Sequence, residues 1–559
     1  MQTAASIESR NENAPASFPQ KRLEELYERG LYLQAYTEGN SAAIFPNWPG
    51  TDGQVLAGKL AQQLGAMRLG KKLLVRAWIR DPKHPLAAYY YSWQLFTYRG
   101  PLACWDFLNK LATDESIAPR LRSDLIAAKC RSAAVLRDFE TAEKLLTAAQ
   151  EANPEVPWLH CERANLLEFQ DRYEEALEEV QKAFVIIPFY RPAVQCKAHL
   201  LMLVGREKDA LEFLQVAAAS IESGAVYGQL FTLQMELDQH AAALETMQQY
   251  IKHSPLLDEP TREWLNFRRC DALYFSGQYS LARQAAEQIK DEHFFKPLAA
   301  RLKELEAKNE TPRRKLLPIG FVRLHHFTCV PATLTTLCRY WDKPADHLAL
   351  AEKICYDGTP AHSERNWAEQ NGFVTREFRV TAESAEALID RGIPFTLTTS
   401  ETTSSHLQAV IGYDRARETL YIRDPYVRHT NEFHTERSLK RYASTGPRGL
   451  ALVPKEKAEL LTGLDLPDAA LYDQIYELNL ALERHDRARA QQVFENLRTL
   501  APDHRLTWQA RRTLGHYDGN NSEAAAAVDA LLKQFPEDGH LQIAQTNLWR
   551  DLGRREERL

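Results

Sequence analysis

Hydrophobic positions recur three and four residues apart along most of this chain, a spacing that predicts amphipathic helices. The helical stretches themselves repeat, because the small residues and the proline of one stretch return in the next. One constant interval separates Ala142 from Ala176, Ala149 from Ala183, and Pro154 from Pro188. Small residues let a second helix pack closely on a first, and a proline ends it. The interval therefore predicts a stack of helix pairs.

The same interval continues on both sides of a long interruption. It separates Ala176 from Ala210 and, late in the chain, Pro502 from Pro536; Ala217 follows Ala183 in the same way. The pattern resembles the tetratricopeptide repeat, a two-helix unit of about 34 residues. This resemblance implies a curved solenoid whose groove can hold a peptide substrate or a partner. Alternatively, any one alanine or leucine of the repeats only packs against its neighbours and does not line a binding groove.

Between the two sets of repeats, the helical spacing of hydrophobic residues gives way to an alternation of apolar and polar residues. Short β-type runs separated by turn residues predict an antiparallel sheet, at 395–399, 408–414, 419–425 and 449–454. Helical stretches precede them, at 331–341, at 346–355 and up to Gly372. Helices followed by a sheet predict an α+β domain. The fold class is therefore mainly α, a tetratricopeptide solenoid with an inserted α+β domain. The predicted segments are a disordered lead-in at 1–19, repeats at 20–310, the inserted domain at 316–455 and further repeats at 468–559.

Three residues of the inserted domain carry candidate chemistry. Cys329 precedes a helix, where unpaired backbone N–H groups and the helix dipole favour a thiolate. His406 lies at the start of a strand, and Asp424 ends the next strand before a proline. If those strands form a hairpin, Asp424 can accept a hydrogen bond from one imidazole nitrogen and leave the other for Cys329. Such an arrangement has the nucleophile, base and orienting acid of a cysteine hydrolase.

These pieces resemble the bacteriocin-processing cysteine peptidases, papain-like enzymes that cleave leader peptides after a double glycine. The spacing from Cys329 to His406, and from His406 to Asp424, matches the family's pattern. The resemblance covers about a quarter of the chain. It implies a papain-like domain with Cys329 as nucleophile, His406 as general base and Asp424 as orienting acid. It also implies a bacterial source.

The sequence departs from the family at the oxyanion hole. The family places a glutamine five or six residues before the cysteine, where this chain has Leu324 and Arg323. Loss of one oxyanion donor costs on the order of 10²–10³ in rate. His325 or His326 is the candidate for the missing donor.

The first interpretation is a cysteine peptidase whose helical arms select a protein or peptide substrate. A second is a peptidase-like fold that binds peptides or assembles partners without turnover, which the glutamine-to-leucine difference favours. A third is acyl transfer, in which the same thioester passes to an amine. The Cys–His–Asp chemistry is common to hydrolysis and transfer up to the thioester.

Composition argues against several other classes of protein. The 559 residues carry a formal charge of −6 without a long basic run, which argues against a nucleic-acid or anionic-lipid partner. No apolar stretch is long enough to span a bilayer, and the polar N-terminus does not resemble a secretory signal. The eight cysteines include no CxxC pair, so neither a disulfide framework, a metal site nor another cofactor is predicted. A cytoplasmic location is the expectation.

Overall fold

In a computed structural model, the structure describes residues 18–111, 117–402 and 404–558. Most of the predicted lead-in lies outside the described residues. The chain divides into two compact units, residues 1–299 and 300–559, with the division inside one helix.

Helix pairs build the first unit. Its described helices are α1 (Gln20–Glu28), α2 (Tyr32–Ala42), α3 (Gly50–Gln63), α4 (Met67–Arg80), α5 (Pro85–Arg99), α6 (Pro101–Lys110), α7 (Pro119–Val135), α8 (Phe139–Ala152), α9 (Pro157–Phe169), α10 (Tyr173–Ile186), α11 (Arg191–Leu203), α12 (Glu207–Ser220), α13 (Gly224–Glu236), α14 (His240–Lys252), α15 (Glu259–Phe275) and α16 (Tyr279–Gln288). Helix α17 (Phe295–Lys308) spans the division.

The alanines that mark the repeat interval are the packing residues of this unit. Ala142 and Ala149 on α8, and Ala176 and Ala183 on α10, are all completely buried. A methyl group there lets the second helix of each pair approach the first closely. The tetratricopeptide-type architecture predicted from the interval is confirmed.

The first helices of this unit also contact its later loops. The Glu222 carboxylate accepts hydrogen bonds from the backbone N–H groups of Leu33 at 2.9 Å and Gln34 at 3.1 Å, at the N-terminus of α2. On the same helix, the Tyr32 hydroxyl accepts a hydrogen bond from Arg191 of α11 at 3.1 Å. Part of the surface offered by the later helix pairs is therefore occupied by the chain's own N-terminal helices.

Removal of the Glu222 carboxylate is expected to loosen α2. Glu222→Ala leaves the Leu33 and Gln34 N–H groups without their acceptor, which costs about 1–2 kcal/mol for a cap of this kind. Hydrogen exchange of the α2 amides measures the effect. Glu245→Ala removes an exposed carboxylate of α14 and is the matched control. Equal α2 exchange in both variants would contradict the prediction.

The second unit surrounds a seven-stranded sheet with helices. Its strands are β1 (Arg314–Leu316), β2 (Phe373–Arg379), β3 (Phe395–Ser400), β4 (Ser405–Asp414), β5 (Thr419–Arg423), β6 (Asn431–His434) and β7 (Arg448–Pro454). The order is β2-β7-β3-β4-β5-β6 with antiparallel neighbours, and β1 pairs with β4.

Helices and short 3-10 turns complete the inserted domain. They are α18 (Cys329–Tyr340), α19 (His347–Ile354), α20 (Ala361–Gln370), α21 (Ala382–Asp390), α22 (Thr435–Arg441) and the 3-10 segments Ala443–Thr445 and Lys455–Leu461. The antiparallel sheet and the first three helices were predicted. The strict order of helices before sheet was wrong, because β1 precedes the helices and β2 lies between α20 and α21.

Further helix pairs follow the domain and pack against it. They are α23 (Ala469–Glu483), α24 (Arg487–Leu500), α25 (Arg505–Tyr517), α26 (Asn521–Gln534), α27 (Gly539–Asp551) and α28 (Arg555–Arg558). The Arg365 guanidinium of α20 lies 2.8 Å from the Asp473 carboxylate of α23 and 4.1 Å from the centroid of the Tyr476 ring. An ion pair and a cation–π contact thus join α23 to the inserted domain.

Candidate active site

Helix α18 places Cys329 at its first position. Residues 330–338 of this helix are all buried, whereas Cys329 is partly exposed. The Thr333 hydroxyl donates to the carbonyl of Leu407 on β4 at 3.2 Å, and this bond fixes the helix against the sheet. The thiol therefore lies at the solvent end of an otherwise buried helix, at the terminus whose dipole stabilises negative charge.

The β4–β5 hairpin brings His406 and Asp424 together. His406 is the second residue of β4 and Asp424 follows the last residue of β5. His406 Nε2 lies 2.7 Å from Asp424 Oδ1. The backbone N–H of Tyr426 donates to the same carboxylate oxygen at 2.8 Å and holds its orientation. Because Nε2 is engaged, Nδ1 is the ring nitrogen left to face a reacting thiol.

Charge around His406 favours its protonated form. Burial opposes protonation, but hydrogen bonding and negative charge at Asp424 and Cys329 outweigh it and raise the pKa of His406 to about 9. The imidazolium therefore persists through neutral pH and is lost only as the pH approaches 9. An imidazolium beside a cysteine favours the thiolate over the thiol.

The segment before Cys329 separates the two neighbouring histidines. The Leu324 N–H donates to the carbonyl of Pro425 at 3.0 Å, which holds this segment beside the Asp424 turn. The His325 ring packs 5.1 Å from the ring of His347, centroid to centroid. His326, at a left-handed φ of 49°, instead lines the same cleft as Cys329. Of the two candidate oxyanion donors, the structure places His326 in the cleft.

Thr328 connects His347 to the start of α18. His347 Nε2 lies 3.0 Å from Thr328 Oγ1, and Thr328 directly precedes Cys329. The same hydroxyl accepts from the His325 N–H at 2.8 Å. Burial, with a smaller contribution from the charge of His325, lowers the pKa of His347 to about 4. His347 is therefore neutral at physiological pH and acts as a hydrogen-bonding support for the segment before the thiol.

A cleft of about 1090 Å³ contains Cys329 and His406. The segment between α19 and α20 also lines the cleft, as do Thr398, Glu364 and Arg448, which we call its floor. The Arg448 guanidinium lies 2.7 Å from the Glu364 carboxylate and also pairs with Glu377. All three charged side chains of this cluster are buried.

Sequence reasoning did not identify this charged cluster, of which Glu364 and Arg448 line the cleft. Arg448 lies 84 residues after Glu364 and 71 residues after Glu377, and the three residues belong to no motif that pairs them. The one available signal was an arginine at the head of the apolar run of β7, where an unpaired charge is costly to bury.

Metal-binding clusters and membrane-spanning helices are both absent from the described residues. In the described ranges no group of three or more His, Cys, Asp or Glu side chains is arranged to hold a metal ion. Among the helices that the structure describes, none has the length and apolar character needed to cross a membrane.

Comparison with known proteins identifies the type of domain that contains this cleft. Residues 317–449 match the model of the Peptidase C39 like family. The second unit thus carries a peptidase C39-like domain, set among tetratricopeptide-type repeats. No curated protein matches the chain.

Solved structures similar to parts of the chain include a peptidase domain and tetratricopeptide repeat proteins. The peptidase domain of Streptococcus ComA, a bi-functional ABC transporter involved in a quorum-sensing pathway, shows 20% identity over 25% of this chain and 98% of its own, with a TM-score of 0.21. A tetratricopeptide repeat protein from Parabacteroides merdae shows 13% identity over 46% of this chain and 98% of its own, with a TM-score of 0.27. The thermophilic repeat protein TTC0263 of Thermus thermophilus shows 17% identity over 36% of this chain and 100% of its own, with a TM-score of 0.25.

Proposed function

We propose that this protein is a cysteine peptidase that hydrolyses a peptide bond in a protein or peptide, with Cys329, His406 and Asp424 as its catalytic triad. The observation that carries the proposal is the hydrogen bond from His406 to Asp424, together with the cleft that His406 and Cys329 both line. A carboxylate that accepts a hydrogen bond from one imidazole nitrogen fixes the ring and leaves the other nitrogen for proton transfer.

The first half of the reaction forms a thioester. His406 holds the proton of Cys329, and the thiolate attacks the peptide carbonyl carbon to form the C–S bond. The carbonyl oxygen becomes an oxyanion, which accepts hydrogen bonds from the Cys329 backbone N–H and from His326. The tetrahedral intermediate collapses, the C–N bond breaks, and His406 gives its proton to the departing amine.

The second half releases the acyl group. His406, now neutral, takes a proton from a water molecule while the water oxygen attacks the thioester carbon. The C–S bond breaks, the carboxylic acid leaves, and the proton on His406 restores the thiolate–imidazolium pair. An amine in place of that water gives acyl transfer. The helical repeats, in this proposal, select the protein or peptide that reaches the cleft.

The difference at Leu324 favours one rival, a peptide-binding module without turnover. An aliphatic side chain cannot donate to the oxyanion, and the rate penalty for one missing donor is about 10²–10³. His326 is the donor that would offset this loss, since it lines the cleft whereas His325 packs on His347.

The pH dependence of alkylation tests the proposal. We expect iodoacetamide to modify Cys329 with little loss of rate from pH 8 to pH 6, because the protonated His406, with a pKa of about 9, stabilises the thiolate across that range. An ordinary thiol, with a pKa of about 8.5, loses close to tenfold in rate per pH unit over the same range. Above pH 9 the imidazolium deprotonates and the advantage disappears. Mass spectrometry of the modified peptides gives the rate at each cysteine.

The controls are in the same molecule. Cys338 lies buried in α18, where burial raises its pKa to about 12, so it should stay unmodified. His406→Ala should restore ordinary thiol behaviour to Cys329. The peptidase proposal is contradicted if the alkylation rate of Cys329 is independent of pH in both the parent and His406→Ala, or if Cys329 does not react in the parent. The peptide-binding module then remains as the interpretation.

A further inference from the structure

Two aromatic side chains stand exposed on the wall of the Cys329 cleft. Phe327 is 65% exposed and Tyr356 is fully exposed, yet both line the same cleft as Cys329 and His406. Most large aromatic side chains in this unit are buried or partly buried. Exposed apolar surface gathered at a cleft marks a place where a ligand is bound.

A hydrogen bond joins the two segments that carry these side chains. The Cys355 thiol donates to the carbonyl of Phe327 at 3.4 Å, and Tyr356 is the next residue along the chain. The Tyr356 N–H donates to the carbonyl of Gly358 at 3.2 Å, within the segment between α19 and α20 that lines the cleft. Phe327 itself lies just before Thr328 and Cys329. The aromatic pair is therefore held next to the thiol by local contacts.

The rest of the cleft lining consists of polar groups and smaller aliphatic side chains, among them Leu324 and Ile354. Ser404 and Ser405 line the cleft beside His406, and the arginine and glutamate of the floor pair with each other. The hydroxyl groups and the paired charges can hydrogen-bond with a peptide backbone. A large apolar side chain finds its most extensive apolar contact at the two aromatic rings, since each such ring can bury about 150–250 Å².

We propose that Phe327 and Tyr356 form a subsite that receives a large apolar side chain of an extended peptide whose carbonyl lies at Cys329. The inference rests on the proposed function and names its substrate class: peptides with a large apolar residue near the cleaved bond. The two rings clasp that residue and orient the backbone between the thiol and the serine-lined wall. They are specificity-determining residues and take no part in proton transfer.

A set of peptidyl chloromethyl ketones tests the subsite. Each probe is a tetrapeptide of glycine and serine in which one position is changed to phenylalanine. The Cys329 sulfur displaces chloride and forms a C–S bond. We expect one phenylalanine position to accelerate this reaction at least tenfold over the all-polar probe, and we expect the Phe327→Ser/Tyr356→Ser variant to lose that preference.

Matched variants keep the test specific. Phe327→Leu/Tyr356→Phe preserves apolar surface and should retain most of the preference. Tyr98→Ser removes an exposed tyrosine from the first unit and should retain all of it. Iodoacetamide is too small to contact the rings, so its rate at Cys329 in each of the four proteins measures the thiol alone, and each probe rate is divided by it.

Binding without chemistry separates this inference from the proposed function. The same peptides, as fluorescein-labelled amides, are titrated by fluorescence anisotropy. If Cys329 proves inert but the phenylalanine peptide still binds at least tenfold more tightly and the double serine variant loses the difference, the peptidase fails and the subsite stands. A reactive Cys329 with no phenylalanine preference in either assay, or a preference that survives in the double serine variant, overturns the subsite.

Discussion

Cys329→Ala is expected to reduce peptide hydrolysis by about 10⁴- to 10⁶-fold, the size of effect seen when the nucleophile of a hydrolytic triad is removed. The alanine side chain has no atom that can form the acyl intermediate, whereas the cleft and the hydrogen bond between His406 and Asp424 remain. Cleavage of a library of internally quenched peptides measures the loss.

His406→Ala should cost nearly as much, because the two residues act as one unit. In the Cys329→Ala/His406→Ala protein the losses should therefore not multiply, and the double variant should match the less active single variant. Cys196→Ala, which removes a partly exposed thiol of the first unit, serves as the control and should retain full activity. Hydrolysis that persists in Cys329→Ala would assign the activity to another protein in the preparation.

The parts of this fold that sequence reasoning predicted are those fixed by local pattern. Alanines and prolines at a constant interval specify a helix pair without reference to distant residues, and Ala142 and Ala176 are both buried at their predicted contacts. The strands at 395–399 and 419–425 likewise alternate with turn residues. The strand pattern is visible within a window of about 11–18 residues, and the helix-pair pattern becomes visible when successive units of about 34 residues are aligned.

Strand β2 was missed because its pattern depends on a partner far along the chain. Its sequence, FVTREFR, carries charged residues at neighbouring positions, which disfavours a buried strand. Glu377 is nevertheless 4% exposed, because the guanidinium of Arg448, 71 residues later, neutralises it. The capping of α2 by Glu222 was invisible for the same reason, since its partner Leu33 lies 189 residues away.

The candidate site also contains some residues that local sequence pattern predicted and one choice that it could not make. Spacing and residue type suggested Cys329, His406 and Asp424 together, and the hairpin needed for the last two is present with a 2.7 Å hydrogen bond. The same reasoning could not choose between His325 and His326. That choice depends on the left-handed φ of His326 and on the ring of His347, and neither is encoded in a local periodicity.

The charged floor of the cleft also connects the candidate site to the C-terminal repeats. Arg448 pairs with Glu377, and Glu377 lies 3.4 Å from Arg365, which in turn contacts Asp473 of α23. Each link is a contact between buried or half-buried charges, so a change at one end alters the electrostatics of the next. The repeats and the cleft thus share one polar network inside the second unit.

Arg448→Met should be strongly destabilising through this network. The methionine fills similar volume but leaves the buried carboxylate of Glu364 without its counter-ion and that of Glu377 with Arg365 alone. Loss of one partner from a buried ion pair costs about 3–5 kcal/mol. Hydrogen exchange in β2, β3 and β7, with the thermal unfolding midpoint of the second unit, measures the loss.

The stability lost in Arg448→Met should depend on pH, because the buried carboxyl groups of Glu364 and Glu377 titrate. Burial raises the pKa of Glu364 above its usual value even though Arg448 opposes the rise, and removal of Arg448 should raise it further. A carboxyl whose pKa is raised on folding stabilises the fold below its unfolded pKa and loses that contribution as pH increases. The deficit of Arg448→Met should therefore be smaller at pH 5 than at pH 8.

Two variants separate this electrostatic origin from a simple packing defect. Arg376→Met removes an exposed arginine of β2, next to Glu377, and should leave stability within about 0.5 kcal/mol of the parent. Glu364→Gln/Glu377→Gln in the Arg448→Met background removes the unpaired charges and should recover part of the loss at pH 8. A deficit that is equal at both pH values and is not relieved by the two glutamines would show that the arginine stabilises the domain by packing alone.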